Sequence, residues 1–110
     1  MSTPATGRPA AGGDAPASVA GDALVLHPRD NVATALRALE VDQSVFLLGV
    51  AAVGATVLRE PIALCHKFAL RDIAAGEPII KYGESIGRAT RAIRAGEHVH
   101  VHNLVSARGR

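Results

Sequence analysis

From Ser44 onward the chain is cut into short extended runs, and that punctuation constrains the fold more than any other feature. Ser44–Leu48, Ala55–Arg59, His66–Leu70, Pro78–Lys81, Ile86–Ala89 and His98–Val101 are parted by turns containing Gly, Pro or Asp at close spacing. Short strands at such intervals predict a compact, mainly β unit of the barrel or sandwich kind. Leu24-Val25-Leu26 adds a first strand. Between them lies the turn His27–Asn31, after which Val32, Ala35, Leu36 and Leu39 recur at helical spacing. With Asp30 or Asn31 as N-cap, this predicts one short helix over Val32–Leu39, ended by Glu40-Val41-Asp42.

The totals bound the function. A chain of 110 residues has room for one modest core. It is 48% hydrophobic but only 3% aromatic, so that core is built from Val, Ile, Leu and Ala. Twelve basic side chains against ten acidic ones are interspersed, with no basic stripe and few rings for stacking, which argues against a nucleic-acid binder. The single Cys65 rules out an intrachain disulfide and points to a reducing compartment. Residues 1–22 are rich in Ala, Gly and Pro, lack a secretory apolar segment, and read as a disordered tail. The run Val45–Leu58 is too short and too broken by small residues to span a bilayer. The expectation is a cytoplasmic protein with no membrane segment, folded over 23–105, with a basic tail at 106–110 carrying Arg108 and Arg110.

An internal repeat sharpens the fold. The segment from Asp72 to Lys81 aligns with that from Ala92 to Val101, each with an Ile, two residues, Gly-Glu and an extended run. Its physical unit is a buried Ile, a tight turn with Gly at positive φ, and a returning strand.

The second copy ends in His98-Val99-His100-Val101-His102-Asn103. Strict alternation predicts a strand with three imidazoles on one face. Histidines two apart on a strand stand about 7 Å from each other and four apart about 13 Å, so two neighbours can share a metal but three cannot. No CxxC or HExxH spacing supplies the missing ligand, so on spacing alone the row reads either as a solvated strand face or as an incomplete site. His66-Lys67 sets an acid/base candidate beside a cation, and Lys81 flanks the Tyr82-Gly83 turn. The bland reading of these lysines is a solvated surface. Cys65 and His66 are adjacent on a predicted strand and face apart, which argues against a Cys/His nucleophile. Gly83 and Gly87 read as turn residues, and Asp72, Glu77 and Glu97 as exposed turn acids.

Taken together, His66-Lys67-Phe68-Ala69-Leu70-Arg71-Asp72-Ile73, Ala75-Gly76-Glu77, Lys81-Tyr82-Gly83, Ile86-Gly87 and Gly96-Glu97-His98-Val99-His100-Val101-His102-Asn103 resemble the SAF-type (β-clip) domain of the altronate/galactarate dehydratase family. The small chain of sulfolactate sulfo-lyase is similarly built. The resemblance covers about residues 23–105 and implies a β-clip fold with one short helix. It further implies a small subunit of a lyase that works with a large catalytic chain. The substrate would be a small anionic hydroxy acid, either a sugar acid that is dehydrated or a sulfonated acid that loses sulfite. A divalent metal, Fe2+ or Mn2+, would be held mainly by the large chain, with His98 and His100 of this chain sharing it. On this chain the resemblance points to His66, His98 and His100 as catalytic residues, and to Lys67, Lys81, His102 and Asn103 as substrate contacts. The family usually has Gly where this chain has Cys65, so a positive φ there would strain the backbone. The competing reading is a non-enzymatic SAF-type sugar-binding or assembly module; a free-standing metal carrier is a third. Self-association through the site face stays open.

Overall fold

The computed structural model describes residues 21–49 and 55–106. Most of the expected N-terminal tail and four residues of the basic C-terminal tail lie outside the described residues. Nine strands follow in order among those described: β1 Ala23–Val25, β2 Val32–Ala35, β3 Ser44–Gly49, β4 Ala55–Val57, β5 Lys67–Ala69, β6 Pro78–Lys81, β7 Glu84–Ala89, β8 His98–Val99 and β9 Leu104–Ser106. They form a six-stranded sheet, β4-β3-β1-β2-β5-β8, and a three-stranded one, β9-β7-β6. The mainly β expectation is borne out. The folded body takes in Asp22, whose buried carboxylate pairs with Arg37 and accepts the amide hydrogen of Phe46 at 2.8 Å.

The expected helix at Val32–Leu39 is not formed. Val32–Ala35 is a strand, paired with β1 on one side and with β5 on the other. Both of its faces are buried: Ala33 and Ala35 enter one core cluster with Leu39, Leu58, Ile62 and Phe68, whereas Val32 enters the other with Ile73, Ile79, Ile93 and Val99. A strand covered on both sides reads as a continuous apolar run, which periodicity does not separate from a helix. Leu36, which the helical pattern would bury, is 43% exposed.

The repeat is more extensive than the Gly-Glu spelling shows. Leu39 and Ile62 exchange both backbone hydrogen bonds, and so do Ile73 and Ile93. Each of these residues opens a β-turn closed by an amide-to-carbonyl bond: Gln43 to Glu40, His66 to Ala63, Glu77 to Ala74, and Glu97 to Arg94. The third turn residue has positive φ every time, at Asp42 (67°), Cys65 (71°), Gly76 (83°) and Gly96 (89°), as a type II turn requires. A buried residue four positions before the bridging one then clasps a turn: Leu58 bonds the first, Ala35 the second, Ala89 the third and Ala69 the fourth. Two neighbouring units can thus interlock without any helix. No helix among the described residues is long and apolar enough to cross a membrane.

Candidate functional site

The second of the four turns carries an imidazole in place of a side-chain cap. In the third and fourth turns the last residue folds its carboxylate back on its own turn, Glu77 accepting from Ala74 N at 2.8 Å and Glu97 from Arg94 N at 2.9 Å. Gln43 does the same for Glu40 N at 2.9 Å. His66 holds the equivalent place in the second turn, and its ring leaves the turn for the end of β8. There His66 Nδ1 and His98 Nε2 stand 2.8 Å apart and share one hydrogen bond.

The strand expected over His98–Val101 ends after Val99, and the chain turns through residues 100–103. Asn103 is the cause. It is 2% exposed, its amide Nδ2 donates to the His98 carbonyl at 2.8 Å, and its Oδ1 accepts from His100 N at 3.0 Å. That clamp curls the histidines inward. His100 stacks on His66 with centroids 4.3 Å apart and lies 5.3 Å from His98, which in turn is 5.3 Å from His102. The prediction of widely stepped rings on a flat strand is therefore corrected. The ring nitrogens of His66, His98 and His100 come within 4.8 Å of one another, so the third ligand that local spacing does not supply arrives from a turn 32 residues away.

Glu60, which no sequence pattern singled out, accepts the backbone hydrogen of His98 at 3.0 Å. Burial, helped by the neighbouring His102, His66 and His100, pushes the His98 imidazole below its ordinary value, with Glu60 opposing. His100 moves the same way through desolvation and the charges of His66, Lys67 and His102. Both rings are thereby favoured in the neutral form, which keeps a lone pair for a metal or a proton. Half-buried Lys67, beside His66 on β5, is lowered by burial and by the charge of Lys81. Lys81 closes β6 with its Nζ 5.6 Å from the Tyr82 ring centroid. His102 is exposed at the rim. Asn103 lies beneath the rings with its amide engaged by backbone. Cys65 is exposed, and its φ of 71° is the strained value expected if it stands where relatives have Gly. An open groove of about 500 Å³ between Asp42, Arg59 and Ala95 is lined by none of these histidines or lysines.

This arrangement sits in a chain whose residues 21–107 match the SAF domain of altronate/galactarate dehydratases. The chain belongs to that family. It is 49% identical over 51 residues to the (2R)-sulfolactate sulfo-lyase subunit alpha of Chromohalobacter salexigens, covering 46% of this chain and 54% of that one. It is 46% identical over 80 residues to the altronate dehydratase of Escherichia coli and 38% identical over 80 residues to that of Bacillus subtilis. Each of those two alignments covers 73% of this chain and 15% of the relative. The SAF chain thus spans about half of the sulfo-lyase subunit and a small part of the dehydratases.

Proposed function

We propose that this SAF chain is a component of a lyase that removes a leaving group β to the carboxylate of an anionic hydroxy acid, with a larger catalytic chain completing the site. The leaving group is water from a sugar acid or sulfite from a sulfonated one. The observation that carries the reading is the convergence of His66, from the second turn, with His98 and His100, at β8 and the curl after it, their ring nitrogens within 4.8 Å of one another. Three imidazoles, two of them pushed toward the neutral form, are donors suited to a divalent transition ion, and Fe2+ or Mn2+ is the cofactor we assign. When bound, such an ion supplies Lewis-acid polarisation of the substrate's carboxylate and hydroxyl oxygens. His66, His98 and His100 would hold it; Asn103 and Glu60 fix the backbone that presents two of them. His102, whose exposed ring lies 5.3 Å from that of His98, would exchange the α-proton or protonate the leaving group. Lys67, next to His66 in the chain, and Lys81 would serve as cations for the acid. The half-open histidine face is the surface a larger chain would cover, and the single unpaired thiol fits a cytoplasmic setting.

The test is reconstitution with a large catalytic chain of a lyase of this family. Alanine at His66, His98 or His100 is expected to lower turnover by more than about 100-fold while leaving assembly intact. Unchanged turnover in all three variants overturns the reading.

A further inference from the structure

We infer that Tyr82, at the tip of the β6–β7 hairpin, is the anchor by which this chain docks on the larger catalytic chain, its ring entering an apolar pocket of that partner. The partner itself rests on the lyase reading above; the choice of Tyr82 is argued from the hairpin. Tyr82 is 64% exposed, in a chain with one tyrosine and two phenylalanines. Lys81 pairs with Glu84, so Tyr82 and Gly83 form a two-residue loop. Both have positive φ, 58° and 74°, as a type I′ turn requires. Asn, Asp or Gly suits the first of those places, and a tyrosine is strained there. Little within the chain offsets that strain. Among the described residues the phenol makes no hydrogen bond, and the Lys81 ammonium, 5.6 Å from the ring centroid, is a weak attraction at an exposed site. Phe46 is nearly as exposed at 57%, but it lies in a strand, where an aromatic residue is favoured for itself.

The tip is also held still by the turn His27–Asp30, which follows β1 of the other sheet. The Gly83 amide donates to Asp30 Oδ1 at 2.8 Å, and its carbonyl accepts from Arg29 Nη1 at 3.5 Å. The His27 ring packs so closely on Gly83 that a Cβ there would stand 2.8 Å from it. Asp30 Oδ2 meanwhile accepts the backbone hydrogens of Leu26 and His27, at 3.2 and 3.1 Å. A ring on a backbone fixed in this way loses little freedom on binding. Tyrosine, apolar in body and polar at its end, is enriched where protein surfaces meet in desolvated pockets. Its place in the chain selects the partner. Lys81, the residue before it, is a cation for the acid in the lyase reading, so a chain that completes the site around the substrate reaches the tip as well.

The experiment measures the affinity of the full chain for the large catalytic chain of the reconstitution by calorimetry, and turnover as the large chain is titrated. Tyr82→Asn is expected to raise the thermal midpoint of the free chain by up to about 5 °C, because Asn tolerates the turn. It is nonetheless expected to weaken association at least about 30-fold. Its turnover is expected to fall when the large chain is limiting and to recover the parent value at saturation. Tyr82→Gly, also at ease in the turn, is expected to weaken association equally and decides the matter should Asn lower the midpoint. Tyr82→Phe keeps the ring and is expected to stay within about 5-fold of the parent's affinity. Unchanged affinity in Tyr82→Asn and Tyr82→Gly, with the parent chain assembling normally, overturns this inference alone. Turnover that stays low at saturation also overturns it, since Tyr82 would then act in the chemistry. No association by the parent chain overturns the two-chain reading and this inference with it.

Discussion

The fourth turn, Arg94–Glu97, and the second, Ala63–His66, share one backbone and differ in what they do with it. In the fourth, Gly96 takes the positive φ without steric penalty, and Glu97 caps its own turn. In the second, Cys65 adopts the same region with a side chain, and His66 gives up the cap to meet His98. Local stability is surrendered where a ring is needed elsewhere, which is how strain collects at functional sites.

The contrast breaks most severely at Gly96. A Cβ there would stand 2.2 Å from the Val57 carbonyl oxygen, besides the φ of 89°. Gly96→Ala is expected to cost about 3 kcal/mol or more in urea unfolding. Gly76→Ala, in the same turn geometry with nothing within 4 Å of the new Cβ, is expected to cost only about 1–2 kcal/mol. Equal losses would mean that turn conformation alone, not the close approach to β4, governs these glycines.

The next effect belongs to the rings. His98→Ala is expected to weaken Mn2+ binding by about 100-fold, and His102→Ala by less than about 3-fold, by calorimetry. A larger loss at His102 would shift the cluster outward from β8. Cys65→Gly is expected to stabilise the chain by about 1 kcal/mol with metal affinity unchanged, since it relieves φ and removes no ring. The smallest effect is at Glu77. The Ala74 amide and Arg71 hold its carboxyl below the ordinary value of 4.5. Because the folded-state value is depressed, its stabilisation is full above the unfolded value and fades as pH falls through the folded one. Glu77→Gln is therefore expected to lower stability slightly at neutral pH, to leave it unchanged below the folded-state value and so to flatten the acid limb of the stability curve; an equal loss at every pH would assign Glu77 a different role.

Much of this was legible in the residues, for identifiable reasons. Pro78–Lys81 has the same bounds in sequence and structure because Pro78 and the Tyr82-Gly83 turn punctuate it. Two turns were readable because both spell Gly-Glu. The other two were missed because Asp42-Gln43 and Cys65-His66 replace that spelling, although the triplet Ala-Leu-Arg at both 35–37 and 69–71 was a usable signal. The helix was misread because a strand buried on both faces has no period of two. The curl at residues 100–103 depends on where the Asn103 amide points, and the arrival of His66 depends on sheet order, neither of which local spacing encodes.

The interlocked turns also set a timetable. Ala35 clasps the second turn and Ala69 the fourth across long stretches of chain, and the His66–His98 bond closes a separation of 32 residues. Contacts of that range form after local ones and slow the search. The imidazoles meet only when the edge strand β8 of the larger sheet has joined, so the His66–His98 contact marks the last stage of assembly.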